Sequence, residues 1–370
     1  MRTGTKVVLG GLAAGTILAG VAGGAVTVLA GRLLLRRLLR VRRAALRFAL
    51  LSTLPPEHTL GGQTVLVTGS SRGLGLALAE QFAREGCKLV LCARKEHELA
   101  RARQRVERSG AEVCAVACDV SRPEQVEHLV RVARQHFGQI DILVNNAGII
   151  SVGPLQAQSL EDFREAMDVT FWGTVHPTLA VLPAMIERGR GKIVNITSIG
   201  GKVSLPHLLP YNCAKFATVG FSQGLHAELA RFGIHVLTVV PGLMHTGSHL
   251  NARFKGNQAA EYRWFAMGAN NPLLSMSAER AARKIVEATR RNQVELTLGW
   301  QAKALAGAHD ISPSLTAEAL ALVNRILPRA AHAVAGSKSG REIESQSARS
   351  PFAKLGRRAA QRYNQIEEAA

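Results

Sequence analysis

This sequence predicts a doubly wound, parallel α/β sheet of roughly seven strands. Two observations predict it. Short apolar runs alternate with helix-like stretches from Gln63 to Leu298. The first run also breaks directly into a glycine cluster, Thr68-Gly-Ser-Ser-Arg-Gly-Leu-Gly75, where a helix pattern begins. The chain of 370 residues, 47% hydrophobic and 20% charged, suffices for one large domain with extensions. The expected division is 1–55, 56–300 and 301–370.

The first element is of a different kind. Val7 to Ala30 carries no charge and is long enough to cross a bilayer as a helix. Gly11 with Gly15, and Gly20 with Gly24, have helix-packing spacing. Arg32, Arg36, Arg40, Arg43 and Arg47 then form one helical stripe opposite Leu34, Leu38, Val41, Ala45 and Phe48, the pattern of an interfacial amphipathic helix. A cleaved secretory signal also has a basic start and an apolar core. Here the apolar run is longer than such a core and meets arginines at once. The reading is an uncleaved anchor, with the folded body held in the cytoplasm by the basic flank. Pro55 and Pro56 close it as a linker. Every basic residue up to Arg47 precedes the first acidic residue, Glu57, so much of the net charge of +19 is local. That favours a membrane lipid surface over nucleic acid, and neither zinc-finger spacing nor an aromatic-rich basic face appears.

Gln63 to Thr68 is the first strand. Glycines after it let backbone approach a pyrophosphate, whose charge a helix N-terminus favours. Gly69, Ser71, Arg72, Gly73, Leu74 and Gly75 are therefore candidate nucleotide contacts. Lys88 to Cys92, the second strand, ends in Ala93-Arg94, without the acidic residue that would take the ribose hydroxyls of NAD. Arg72 and Arg94 instead suit a ribose 2′-phosphate, so NADP(H) is favoured over NAD(H). Ala111 to Cys118 is the third strand, closed by Asp119-Val120. Ser121 and Glu124 read as a capping box for a helix through Phe137. Ile140 to Val144 is the fourth strand and ends in Asn145-Asn146-Ala147-Gly148. A long helix follows from Ser159 to about Glu187, interrupted by Pro177. Lys192 to Thr197, His235 to Val240 (followed by Pro241-Gly242) and Val294 to Leu298 complete the set.

Ser198 stands at the C-terminal end of the fifth strand, the edge where open α/β sheets bind ligands. Tyr211 and Lys215 lie four apart on the next helix, hence on one face. A buried ammonium beside a phenol is expected to pull the tyrosine pKa down, which would let Tyr211 exchange a proton with a substrate oxygen. Cys87, Cys92, Cys114 and Cys118 fall in or beside strands as small buried residues, and Cys213 is expected to pack next to the tyrosine. No cysteine or histidine spacing indicates a metal.

TGSSRGLG (Thr68 to Gly75), CDV (Cys118 to Val120), NNAG (Asn145 to Gly148), Ser198, YNCAK (Tyr211 to Lys215) and PG (Pro241, Gly242) occur in an order and at separations that resemble the classical short-chain dehydrogenase/reductase family. The resemblance covers about residues 60 to 300. It implies a Rossmann-type fold that binds NAD(P), with hydride exchanged between nicotinamide and a carbonyl or alcohol. Tyr211 would be the acid/base, Lys215 would lower its pKa and bind the nicotinamide ribose, and Ser198 would hold the substrate oxygen. Asp119 and Val120 would border the adenine, Asn146, Ala147 and Gly148 would line the cleft, and Thr246 would meet the carboxamide. Family members often form homodimers or homotetramers. One departure stands out. Val169-Thr-Phe-Trp-Gly173 places Thr170 where the family usually carries an asparagine that helps hold a relay water.

Two apolar stretches are candidate substrate contacts: Gly200 to Pro210, and Leu243 to Met276 with Phe254, Tyr262, Trp264, Phe265 and Met267. They read either as a packed flap or as a pocket for a lipid-, steroid- or retinoid-like small hydrophobic substrate. Ser314 to Leu327 reads as an amphipathic helix ended by Pro328. Ser337 to Pro351 is polar, Ser-rich and expected to lack order, and Phe352 to Glu368 forms a short basic helix docking on the body or the membrane. Two other functions remain open: a nucleotide-binding scaffold or redox sensor with weak turnover, and a reductase of a soluble substrate.

Overall fold

The computed structural model describes residues 59–271, 274–329, 336–344 and 358–366. The anchor expected over 1–55 lies outside them. Seven strands form one sheet: β1 (Thr64–Thr68), β2 (Lys88–Ala93), β3 (Val113–Ala117), β4 (Ile142–Asn145), β5 (Gly191–Ile196), β6 (Ile234–Pro241) and β7 (Glu295–Leu298). Their order is β7-β6-β5-β4-β1-β2-β3, and every neighbouring pair is parallel. The order reverses between β1 and β4, which opens a crevice at the carboxyl ends of those two strands.

Alternate residues of each strand feed opposite layers. Val65, Val67, Leu89, Leu91, Val144 and Val239 join the core under α1 (Gly73–Arg84), α2 (Glu96–Glu107) and α8 (Ala278–Arg290). Leu66, Val90, Cys92, Leu143, Ile193 and Val236 face α3 (Pro123–Phe137), α5 (Gly173–Arg188) and α6 (Leu209–Leu229). Both faces of the sheet are thus dry, as a parallel sheet requires.

Three local expectations are corrected. Ser121 does not cap α3: its hydroxyl donates to Asp119 Oδ1 at 2.8 Å, and Pro123 opens the helix. The capping box occurs at Ser159 and Asp162, ahead of α4 (Leu160–Ala166). The long helix is interrupted by a π-turn over Met167–Trp172 rather than at Pro177, which sits inside α5. The wider turn comes just upstream of the proline, and the Thr174 hydroxyl bonds the Thr170 carbonyl at 2.8 Å. Leu160–Arg188 as a whole is apolar enough to span a bilayer, but half of its most apolar window is buried in the fold. It is a core helix.

Beyond β7 the chain continues as α9 (Trp300–Ile311) and α10 (Pro313–Ile326), with Ser312 capping α10. Within the Ser-rich stretch expected to lack order, residues 337–344 are ordered. Lys338–Ser339 pairs antiparallel with Arg253–Phe254, and α11 (Gly340–Glu344) buries Ile343. Pairing with an exposed strand supplies backbone partners that composition does not reveal.

Candidate active site

The strand–turn–helix from β1 to α1 is tight for a stated reason. A Cβ on Gly75 would lie 2.2 Å from the Gly69 carbonyl oxygen and 2.6 Å from Asn146 Nδ2, and Gly69 has φ +63°. Only glycine fits there. Asn146 braces this turn: its Nδ2 donates to the Thr68 and Gly69 carbonyls at 3.0 and 3.1 Å. Its side chain is thereby committed to the loop, while Gly148 is exposed at the cleft and Ala147 packs on the core. No side chain caps α1 and its first turn holds no acid, so the turn suits a phosphate-bearing ligand.

At the far end of the crevice Ser198 follows β5, and its Oγ accepts from the Gly200 N–H at 3.0 Å. Tyr211 lies in the first turn of α6 with its side chain facing Ser198. Gly200 is the spacer between them: a Cβ there would be 3.3 Å from Tyr211 Cε1 and 3.5 Å from Ser198 Oγ. Lys215 is buried one turn on, with Nζ donating to the Ile196 carbonyl at 2.8 Å and standing 5.8 Å from the Tyr211 ring centre.

The expected direction of the tyrosine shift is corrected. Burial pushes the Tyr211 phenol above its usual range, and the Ser198 hydrogen bond only partly opposes this. Desolvation also lowers the Lys215 ammonium to about 8. A carbonyl takes up its nearest donor bond, and burial disfavours both charged forms.

Thr170 is fully buried in the π-turn, and its Oγ1 has no partner. A Cβ on Gly148 would sit 3.5 Å from that oxygen and 3.7 Å from Lys215 Nζ. Thr170 and Lys215 therefore flank one point at the cleft. Thr246 is buried and accepts from the Ser248 N–H at 3.2 Å, just after Pro241 and Gly242 at the end of β6. Val120 is buried, with its carbonyl 3.0 Å from His176 Nδ1, and Asp119 lies 4.0 Å from Arg94. Leu74 is buried, and Ser71 Oγ reaches Glu98 at 3.5 Å. Both arginines expected to clamp a 2′-phosphate have acidic partners in the structure, Arg94 with Asp119 and Arg72 with Glu98. Arg94 is exposed, but Arg72 donates to Glu98 at 3.3 Å and to Asn251 Oδ1 at 3.1 Å.

The family profile described as short chain dehydrogenase matches residues 63–255. The chain belongs to the short-chain dehydrogenase family. It is 34% identical over 246 residues to the oxidoreductase SadH of Mycobacterium tuberculosis, covering 66% of this chain and 88% of SadH. It is 39% identical over 219 residues to human dehydrogenase/reductase SDR family member 7, covering 57% of this chain and 65% of that one. A short-chain dehydrogenase/reductase from Burkholderia phymatum, solved with NAD, superposes with a TM-score of 0.65 at 28% identity over 70% of this chain and 96% of that one. L-sorbose reductase from Gluconobacter frateurii, solved with NADPH and L-sorbose, does so at 0.58 and 29% identity, over 65% and 97%. The protein is thus an oxidoreductase of this family and takes a nicotinamide cofactor.

Sequence reasoning missed two things in this dehydrogenase. The first is a buried polar chain under the site. Asn145 Nδ2 donates to Asn195 Oδ1 at 2.9 Å, Asn195 Nδ2 to Ser222 Oγ at 2.9 Å, and Ser222 Oγ meets Thr238 Oγ1 at 2.7 Å. An asparagine inside each of two apolar strands was the available signal. The second is where the C-terminal segment, expected to dock on the body or the membrane, meets the fold. The Tyr363 carbonyl accepts from the Gly73 N–H at 2.9 Å, and Asn364 Nδ2 donates to the Ser71 carbonyl at 2.9 Å. Nothing in the composition of residues 358–366 points to the glycine turn.

The aromatic segment is partly a packed flap. Phe254 and Tyr262 are buried, with ring centres 5.4 Å apart. Trp264, Phe265, Ile150 and Leu205 are only partly buried and pack on the same cluster as Tyr211. A cavity of about 580 Å³ lies beside them between the loops at Gly153 and Ser204 and helix α10. Neither Ser198 nor Tyr211 lines it, so it adjoins the reacting groups rather than containing them. Cys213 is exposed, correcting its expected packing role, whereas the other four cysteines are buried and free.

Proposed function

We propose that this enzyme transfers hydride between NADP(H) and a hydrophobic carbonyl or secondary alcohol of lipid, steroid or retinoid type. The observation that carries the reading is Tyr211 facing Ser198, with Lys215 buried one helical turn on, at the end of the crevice opposite the glycine turn. The bound nicotinamide supplies or accepts the hydride. Ser198 holds the substrate oxygen, and Tyr211 gives or takes its proton. Lys215, together with the unpartnered Thr170 hydroxyl, offers polar groups where a ribose and a relay water would sit. Partly buried Ile150, Leu205, Trp264 and Phe265 give the substrate side an apolar wall.

The uncharged run and arginine stripe of residues 7–47 support membrane anchoring with a cytoplasmic body, where lipophilic substrates concentrate. Arg72 and Arg94 support NADP(H). Assembly as a homodimer or homotetramer belongs to the same reading and is checked by light scattering. The deciding experiment follows NADPH consumption with a panel of lipophilic ketones, for the native enzyme and Tyr211→Phe. The expected result is a turnover loss of about 10²- to 10⁴-fold in the variant with NADPH affinity unchanged. Equal turnover in the two would refute the reading.

A further inference from the structure

Four cations gather where the glycine turn, the start of α2 and the C-terminal extension meet: Arg72, Arg94, Lys95 and Arg341. The carboxylates facing them are Glu98, which is 3.1 Å from Lys95 and 3.3 Å from Arg72, and Asp119, which is 4.0 Å from Arg94. Arg341 reaches this group through a short chain of bonds. Its Nη2 donates to the Gln365 carbonyl, Gln365 Oε1 accepts from Asn251 Nδ2, and Asn251 Oδ1 accepts from Arg72 at 3.1 Å. Arg341 Nε is buried and has no acceptor. Burial, the largest cause, and then the charges of Arg341 and Arg94 lower the Arg72 pKa against the pull of Glu98. Among the described residues, the ion pairs at this point set two carboxylates against four cations, and a buried guanidinium N–H without an acceptor is unfavourable. A phosphate monoester, with close to two negative charges and three acceptor oxygens, answers both.

We propose that Arg341, a residue of the C-terminal extension beyond the matched stretch 63–255, binds the 2′-phosphate of NADP(H) together with Arg72 and Arg94, and so sets part of the cofactor preference. The extension is thereby a component of the cofactor site. This rests on the NADP(H) reading above and adds a residue to it.

The test is calorimetric binding of 2′,5′-ADP, 5′-AMP, NADPH and NADH to the full-length enzyme, Arg341→Gln and Arg341→Lys. Removing one charge-assisted contact is expected to weaken 2′,5′-ADP and NADPH by about tenfold. Binding of 5′-AMP and NADH should stay within about twofold, and Arg341→Lys should recover part of the loss. If Arg341→Gln weakens all four ligands equally, or none, the role of Arg341 is overturned, because a residue that merely supports the C-terminal segment would not discriminate. If the native enzyme itself binds 2′,5′-ADP no better than 5′-AMP, the NADP(H) reading fails instead. The two failures are therefore told apart by the native protein alone.

Discussion

Replacing Lys215 by methionine should stabilise the cofactor-free protein at neutral pH while removing its activity. Lys215 is 5% exposed, and burial lowers its ammonium from 10.5 to about 8. That gap of about 2.5 corresponds to roughly 3 kcal/mol. The sign follows from linkage. Between pH 8 and 10.5 the unfolded chain binds the proton more strongly than the folded one, so native stability rises with pH through this window. Below it the full penalty for holding the charge applies, and above it none. Methionine keeps the volume and removes the penalty. It also forfeits the hydrogen bond to the Ile196 carbonyl, worth about 1 kcal/mol. The net gain at pH 7 is then about 2 kcal/mol, turning into a loss of about 1 kcal/mol above pH 10.5. Urea unfolding of both proteins at the two pH values measures this directly, with equal slopes as the check that only stability changed. A lower midpoint for the variant at pH 7, or a gain of the same size at both pH values, would refute the reasoning. A stabilising change that abolishes turnover is the signature of a site held at the expense of the fold.

Three further outcomes are expected. Gly75→Ala should abolish NADPH binding and destabilise the fold by more than about 3 kcal/mol, because its Cβ would meet backbone at 2.2 Å; Gly148→Ala, whose nearest contact is 3.5 Å, should unfold at the native urea midpoint. Thr170→Asn should stay folded and active, whereas Thr170→Val, which removes an unpartnered buried hydroxyl, should unfold no earlier than the native protein yet lower kcat; an unchanged kcat would show that this hydroxyl takes no part in the proton relay. Iodoacetamide followed by peptide mass spectrometry should label exposed Cys213 first and Cys87 only on unfolding, since burial pushes the Cys87 thiol up to about 12.

The sheet was readable because its signals are local. Short apolar runs, such as Val65-Leu66-Val67 in β1 and Leu89 to Cys92 in β2, announce strands buried on both faces, and a glycine turn between strand and helix leaves few alternatives. Positions of Ser198, Tyr211 and Lys215 followed from the same periodicities. What escaped depends on encounters far apart in the chain. Gly73 meets Tyr363 across 290 residues of sequence, and Lys338–Ser339 finds its strand partner at Arg253–Phe254. Polar composition argued against order in that tail, yet each segment needs only a ready-made edge to pair with. The π-turn at Thr170 likewise left no mark beyond a proline several residues downstream, and the proline itself was absorbed into the helix.

The tyrosine shift shows where reasoning from spacing alone goes astray. Two residues four apart on a helix do share a face, so the ammonium and the phenol were correctly brought together. Spacing says nothing about which acceptor the ammonium takes or how dry the site is. Here Lys215 Nζ donates to the Ile196 carbonyl at 2.8 Å, and burial is the largest cause of the upward Tyr211 shift. The cofactor-free enzyme therefore holds its tyrosine as a proton donor. Any drop of the phenol pKa towards neutrality must come from groups that arrive with the ligands. A pH–rate profile of the reduction should accordingly show its basic limb below the pKa of Tyr211 titrated in the cofactor-free protein by ultraviolet difference absorbance. Coincidence of the two would mean that the lysine alone sets the proton affinity of the site.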